Sequence, residues 1–344
     1  MNKLKELLIC GMLTFLPMVN ADAQSVEEIP LNKFGDVWFG NAQDDTAKTG
    51  VTVAIFPKGA RVGVDISGGG PASRETPVIL PTTAPTPVNA IVLSGGSAYG
   101  LAASDGVMRW LEENHIGFDT GGILVPIVVQ SCIYDLTYGS STRRPDSAMA
   151  YAACESAVKR GEFVSGNFGA GTGATVGKLG GMSRAQKSGL GVFALQVGDV
   201  KIAAIVVVNA VGDIFDERTG QKIAGLLTDD RKSFSDSCAE LYKLTSQANA
   251  RTNTTIGMIV TNANFDKAQL TKIAQMTQNA YARSIKPVGT TFDGDTIYAA
   301  SVGSVPADLN MIGTLAAEVM SEAIRRAVES SRLPDEEFLK HVRR

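Results

Sequence analysis

Histidine is nearly absent from this sequence of 344 residues, which holds only His115 and His341. His115 falls just past an expected helix end and His341 in a basic tail. Both read as solvated, so a hydrolase built on a histidine base is disfavoured and any hydrolase here needs another base. Cysteine is also scarce, at four. Cys10 lies in the leading segment, which leaves Cys132, Cys154 and Cys238. They are odd in number and widely spaced, with no C-x-x-C, so neither a disulfide framework nor a zinc site is indicated. Whether one pair among them bridges stays open. Aromatic residues make up 6% and the net charge is −3, which gives no electrostatic footprint for a nucleic-acid partner. Past the leading segment no run of 18 apolar residues occurs, so no further membrane span is expected.

The leading segment has its own pattern. Lys3 and Lys5 precede an apolar run over 7–16, then Pro17 and Ala21-Asp22-Ala23. The run is too short to span a bilayer, and the A-x-A signal closes it. Residues 1–23 read as a secretory signal peptide. Cys10 has no small residue before it, which argues against a lipoprotein anchor. A mature chain from Gln24, periplasmic or secreted, is expected, with no membrane association after signal removal.

The remaining residues suit one large domain; no repeat or linker divides them. Apolar runs over 51–56 and 60–66, joined by Pro57-Lys58-Gly59, predict a hairpin. A buried strand is predicted over 88–93, then a helix to about residue 114 and a strand over 123–129. A helix over 148–160 follows. Runs over 191–197 and 201–208 around Gly198-Asp199 predict a second hairpin. Residues 216–232 read as a surface loop and 233–248 as a helix. A strand starting near Thr254 is followed by a helix over 267–285, a strand after Thr296 and a strongly periodic helix over 312–328. Hairpins beside long helices, without strict βαβ alternation, argue for layered α/β.

Glycine is abundant, at 36. Gly169-Ala-Gly-Thr-Gly-Ala174 imitates a dinucleotide fingerprint, but no clear strand precedes it and no acidic residue lies about 20 positions on. Lys178, among these glycines, is either a solvated loop charge or a group aimed into a cleft. Asn209 ends an apolar strand, either as a turn residue or as an amide presented to a developing oxyanion. Asp293-Gly-Asp295 reads as an Asx turn or as two carboxylates on one side of a strand entry. Asn253-Thr254-Thr255 runs straight into the apolar Ile256-Gly-Met-Ile-Val260. Taken alone it is an ordinary loop-to-strand junction. Cut between Asn253 and Thr254, it would give one residue carrying both a nucleophile and its base.

In this order the motifs resemble the DmpA-type L-aminopeptidase/D-esterase family, with its β-peptidyl aminopeptidases and nylon-oligomer hydrolases. The resemblance rests on Gly68-Gly-Gly-Pro-Ala-Ser-Arg-Glu-Thr76, Ala90-Ile-Val-Leu-Ser-Gly-Gly-Ser-Ala-Tyr-Gly-Leu101, Asp105-Gly-Val-Met-Arg-Trp-Leu-Glu112, Gly169-Ala-Gly-Thr-Gly-Ala-Thr-Val-Gly-Lys178, Val208-Asn-Ala-Val-Gly-Asp213, Asn253-Thr-Thr-Ile-Gly257 and Phe292-Asp-Gly-Asp-Thr296. It implies an αββα sandwich of the N-terminal-nucleophile-like kind, shared in outline with ornithine acetyltransferases. It implies one catalytic domain, residues 24–344, that cuts itself into an α chain, 24–253, and a β chain, 254–344. Homo-oligomers of such αβ units are implied, and no metal or cofactor.

By the resemblance Thr254 matches the nucleophile position, seven residues before Thr261, and Thr255 does not. Lys178, Asn209, Asp293 and Asp295 match polar active-site positions, and Tyr134 matches an active-site tyrosine more loosely. Val129-Gln-Ser-Cys132 departs from the family's usual Pro-Ala-Ala-type stretch, which bears on pocket shape. The implied activity is release of N-terminal residues from small peptides, amides or esters. An acyltransferase of the ornithine acetyltransferase type, or a non-catalytic secreted binding protein on the same scaffold, are the alternatives.

Overall fold

The computed structural model describes residues 25–244 and 253–343. The expected signal peptide and the end of the helix expected over 233–248 lie outside the described residues. The main strands are β1 (Val26–Glu28), β2 (Trp38–Asp44), β3 (Thr49–Ile66), β4 (Val88–Ser94), β5 (Val128–Cys132), β6 (Leu190–Val197), β7 (Val200–Asn209), β8 (Thr254–Ala263) and β9 (Thr296–Val305). The main helices are α1 (Ala103–Glu113), α2 (Ser147–Val158), α3 (Ser237–Leu241), α4 (Lys267–Ser284) and α5 (Leu309–Glu329).

The strands run in the order β1-β6-β7-β8-β9-β3-β4-β5 and end on the short segment Ser73–Arg74, with β2 added to β3. Strand β3 is the pivot. Its first half pairs with β2 and β4, and its second half pairs with β9. The hairpin expected at Pro57-Lys58-Gly59 is therefore not a reversal. The register against β4 shifts between Ile55 and Ala60, and the chain bends onward from one sheet into the other. Proline lacks the N–H a ladder needs and Gly59 takes φ 75°, so the trio makes a bulge, while each half finds partners in a different layer.

Alternation along the strands builds four layers. Ala54, Phe56, Ile91, Leu93 and Val129 face Ala203, Ile205, Val207, Ile256, Met258 and Tyr298 across the sandwich interior. Val51, Val53, Ile55, Ala90 and Val92 point outward under α1 and α2. On the opposite side Ala204, Val206, Ile259, Ile297 and Ala299 lie under α4 and α5. This is the αββα sandwich the resemblance implies. Helix starts are fixed locally, with Asp146, Asp266 and Asp308 as N-caps and a capping box between Asp266 and Gln269.

The second hairpin, β6–β7, forms as expected, with Gly198 at φ 57° in its turn. Two smaller readings change. The loop read over 216–232 contains a short strand, Lys222–Ala224, paired with Asp213–Phe215. Of the helix expected over 233–248, the described part is only α3.

Candidate active site

Strand order brings three chain ends together. Asn209 closes β7, Thr254 opens β8 opposite it in register, and Thr296 opens β9 beside Ile256. Side chains alternate with period two. Since Ile205, Val207, Ile256 and Met258 face the interior, Asn209 and Thr254 share the inner face. Thr255 falls on the opposite, helix-covered face. Parity thus places Thr254, and not Thr255, on the face that Asn209 occupies.

Asn209 is fully buried and anchored on both ends of its amide. Its Oδ1 accepts from the Thr175 N–H at 3.1 Å, and its Nδ2 donates to the Tyr134 carbonyl at 3.0 Å. Its own carbonyl accepts from Lys178 Nζ at 2.8 Å. One of its two amide N–H groups is therefore already engaged. Lys178 is 9% exposed, which decides its two readings in favour of an inward-aimed group. Its backbone is pinned where Gly177 N–H donates to Gly212 and Lys178 N–H to Val211, both at 3.1 Å. Gly177 is required there: it takes φ 71°, and a Cβ would lie 2.1 Å from the Gly225 backbone.

The junction itself is held around one carbonyl. The Asn253 carbonyl accepts from the Gly294 N–H at 3.1 Å and from the Thr254 hydroxyl. Asp295 Oδ1 accepts from the Thr255 N–H at 2.6 Å, and Oδ2 from the Gly289 N–H at 2.9 Å. Asp293 Oδ2 accepts from the Thr290 N–H at 2.9 Å and the Thr290 hydroxyl at 2.6 Å. The two carboxylates thus shape the loop that wraps Thr254. The glycine run closes over that loop, with Gly68 and Gly70 N–H groups donating to the Asp295 and Asp293 carbonyls at 3.2 and 2.8 Å.

Burial sets the charge states. It pulls Lys178 down to about 7, although Asp293, Asp135 and Asp295 act to raise it. Asp295 is pushed well above the usual carboxylate range by burial and then by Asp293, and burial also raises Asp293.

Tyr134, the loosest of the expected residues, meets the site through its carbonyl on Asn209 and is half-buried. Sequence reasoning missed the residue after it. Asp135 is 3% exposed, accepts from the Thr49 hydroxyl at 2.6 Å and the Gly96 N–H at 2.8 Å, and feels Lys178. It lies three residues past the end of β5, and nothing in the linear spacing marks it. Lys187 was also missed. It is buried and donates to the carbonyls of Gly171 and Ala174 at 3.0 Å each, and to that of Ser188. Its role is to tie down the glycine turn at Gly169–Gly173. Cys132, Cys154 and Cys238 are free thiols. Among the described residues no group of His, Cys, Asp or Glu is arranged to hold a metal ion.

Residues 34–333 match the model of peptidase family S58. The chain belongs to peptidase family S58. A protein named as an uncharacterized aminopeptidase of Mycobacterium leprae (strain TN) is 39% identical over 268 residues, covering 75% of this chain and 72% of that one. A 6-aminohexanoate-oligomer endohydrolase of Kocuria sp. (strain KY2) is 34% identical over 316 residues, covering 86% and 85%. Among solved structures, the L-aminopeptidase D-Ala-esterase/amidase of Ochrobactrum anthropi, described as a variant of the Ntn hydrolase fold, superposes with a TM-score of 0.63 at 16% identity. The match covers 89% of this chain and 92% of that one. A Burkholderia sp. β-aminopeptidase gives 0.59 at 18% identity, covering 89% and 90%. This S58 chain is a hydrolase, and its αββα scaffold corresponds to the Ntn hydrolase fold of those structures.

Proposed function

We propose that this S58 hydrolase is an exported, self-processing aminopeptidase or amidase whose nucleophile is Thr254, freed by cleavage after Asn253. The observation that carries the reading is the Asn253 carbonyl, held between the Gly294 N–H and the Thr254 hydroxyl. In the precursor, Thr254 Oγ bonds to the Asn253 carbonyl carbon. The Gly294 N–H donates to that carbonyl oxygen and stabilises the negative charge that develops on it. The Asn253–Thr254 C–N bond breaks and the hydroxyl proton passes to the departing amine. Water then hydrolyses the resulting ester, leaving a carboxylate on Asn253 and a free α-amine on Thr254.

A free α-amine titrates near 7.7–8.0, so a useful fraction is neutral at neutral pH and serves as the base for the second reaction. Thr254 Oγ then attacks an amide or ester carbonyl of the substrate. The amine takes the hydroxyl proton and delivers it to the leaving group, and water resolves the acyl-enzyme. Lys178 acts as a cation that steadies the developing charge, Asn209 helps to hold the oxyanion, and Tyr134 borders the site. Asp293 and Asp295 orient the nucleophile's strand entry and offer a carboxylate to the substrate's ammonium. Thr254 is 5% exposed in the continuous chain, so release of the Asn253 end opens the site to substrate. Small peptides and amino-acyl amides or esters, worked on by homo-oligomers of αβ units outside the cytoplasm, complete the reading. The name of the aminopeptidase relative supports amides with a free amino end, and that of the 6-aminohexanoate-oligomer endohydrolase supports amide bonds of short oligomers as substrates.

Denaturing gel electrophoresis with N-terminal sequencing tests it. Two fragments are expected, the smaller beginning at Thr254, with release of amines from amino-acyl amides. An intact chain without hydrolysis favours a binding protein. Acyl transfer without net hydrolysis favours an acyltransferase.

A further inference from the structure

Asp135 belongs to no motif of the resemblance and takes no part in the steps above, yet two glycine motifs close on it. Its carboxylate occupies space that two glycine motifs leave open. A Cβ on Gly95 would lie 1.9 Å from its Oδ2, and a Cβ on Gly173 would lie 2.6 Å from its Cβ. One oxygen receives the Thr49 hydroxyl at the start of β3 and the other the Gly96 N–H of the turn after β4. Its chain neighbour, Tyr134, supplies the carbonyl that fixes the Asn209 amide directly across the sheet from Thr254.

We propose that Asp135 is a positioning residue of the Thr254 centre: its buried carboxylate fastens the Tyr134 loop to β3 and to the Gly95–Gly96 turn, and keeps Lys178 cationic. Unpaired burial disfavours an ammonium, so Lys178 remains a cation near neutrality only while anions face it. The groups facing it are Asp135, Asp293 and Asp295. Burial and then the neighbouring Asp293 raise Asp295, and burial raises Asp293, although each also accepts loop N–H groups. Asp135 sits on a separate element; burial raises it to about 6, below neutrality, while the Thr49 hydroxyl and the Gly96 N–H favour its ionised form. Cys132 and the buried Lys187 also feel its charge. The Cys132 thiol is held protonated by burial, and Lys187 is bound to three carbonyls.

The inference rests on Thr254 as nucleophile and on Lys178 acting as a cation. The experiment compares pH–rate profiles of the processed wild type and Asp135→Asn on an amino-acyl p-nitroanilide. The amide keeps the shape but loses the charge, so the limb on which rate falls as Lys178 deprotonates moves down by about one pH unit. At pH 8 the variant is about tenfold slower than wild type, while at pH 6 the two agree within about threefold. Thr49→Val removes one donor to the carboxylate and moves the same limb the same way by less, so it serves if Asp135→Asn does not fold. A limb unchanged in whichever variant folds overturns the proposal. An uncut, inert wild type would sink the Thr254 reading instead, so the two failures are told apart.

Discussion

Gly294 offers a perturbation whose size follows from the coordinates. Its φ is not in the left-handed region, so alanine is conformationally acceptable and the penalty is steric. The new Cβ would lie 2.9 Å from Thr254 Oγ, 2.9 Å from the Gly70 carbonyl oxygen and 3.2 Å from Pro71 Cα. Two of these contacts fall below any ordinary approach, and backbone borders two of the three sides. The element free to yield is the Thr254 side chain, by several tenths of an ångström. Overpacking of one methyl costs about 1–3 kcal/mol in stability. The larger effect is on reaction geometry, because a displacement of about 1 Å at a reacting atom can cost about 10²-fold in rate. Gly294→Ala is therefore expected to slow self-cleavage by roughly 10- to 100-fold in a folded chain. The assay is pulse–chase labelling with denaturing gels. Gly35→Ala is the control, since a Cβ there meets nothing within 4 Å. Processing of Gly294→Ala within twofold of that control would refute both the crowding argument and the placing of the Asn253 carbonyl against Gly294.

Thr254→Ala is expected to stay uncut and inactive, whereas Thr255→Ala, on the helix-covered face, still cuts at the same bond; N-terminal sequencing decides between them. Asn209→Ala strands the Thr175 N–H and the Tyr134 carbonyl. With about 1–3 kcal/mol for a buried polar group left unpaired, denaturant unfolding in a Thr254→Ala background should register a loss of at least about 2 kcal/mol. Lys178 has its folded pKa lowered to about 7, so between pH 7 and its unfolded value the unfolded chain binds the extra proton. Its contribution to stability therefore rises with pH across that window. Lys178→Met in the same uncut background should flatten the slope by up to about 1.4 kcal/mol per pH unit, and an unaltered slope would show that Lys178 titrates normally.

Much of the fold was legible because it rests on local signals. The helices at Lys267–Ser284 and Leu309–Glu329 follow from their apolar periodicity, and the β6–β7 hairpin from its turn. The Pro57-Lys58-Gly59 misreading has a physical cause. Turn residues announce a break in the ladder but not its direction, and β3 continues because its halves have partners in different sheets. Site residues with a distinctive setting, such as Lys178 among glycines or the Asp293-Gly-Asp295 pair, could be picked out in the chain. Asp135 and Lys187 could not, because their partners are main-chain groups and a hydroxyl far away in sequence.

The sequence alone determined which residue types were available: almost no histidine, a threonine opening an apolar strand, and a lysine and carboxylates beside glycines. That was enough to disfavour a histidine base and, with the family resemblance, to nominate Thr254. Only the tertiary structure decided that Thr254 and not Thr255 shares a face with Asn209, since parity acquires meaning when a sheet gains an inside. The structure also decided that the Gly294 N–H meets the Asn253 carbonyl, because that contact joins two strand entries that β8 and β9 bring level. Burial did the rest. The same lysine and carboxylates in water would hold ordinary charges, and their altered proton affinities arise from desolvation and proximity, which no linear spacing encodes.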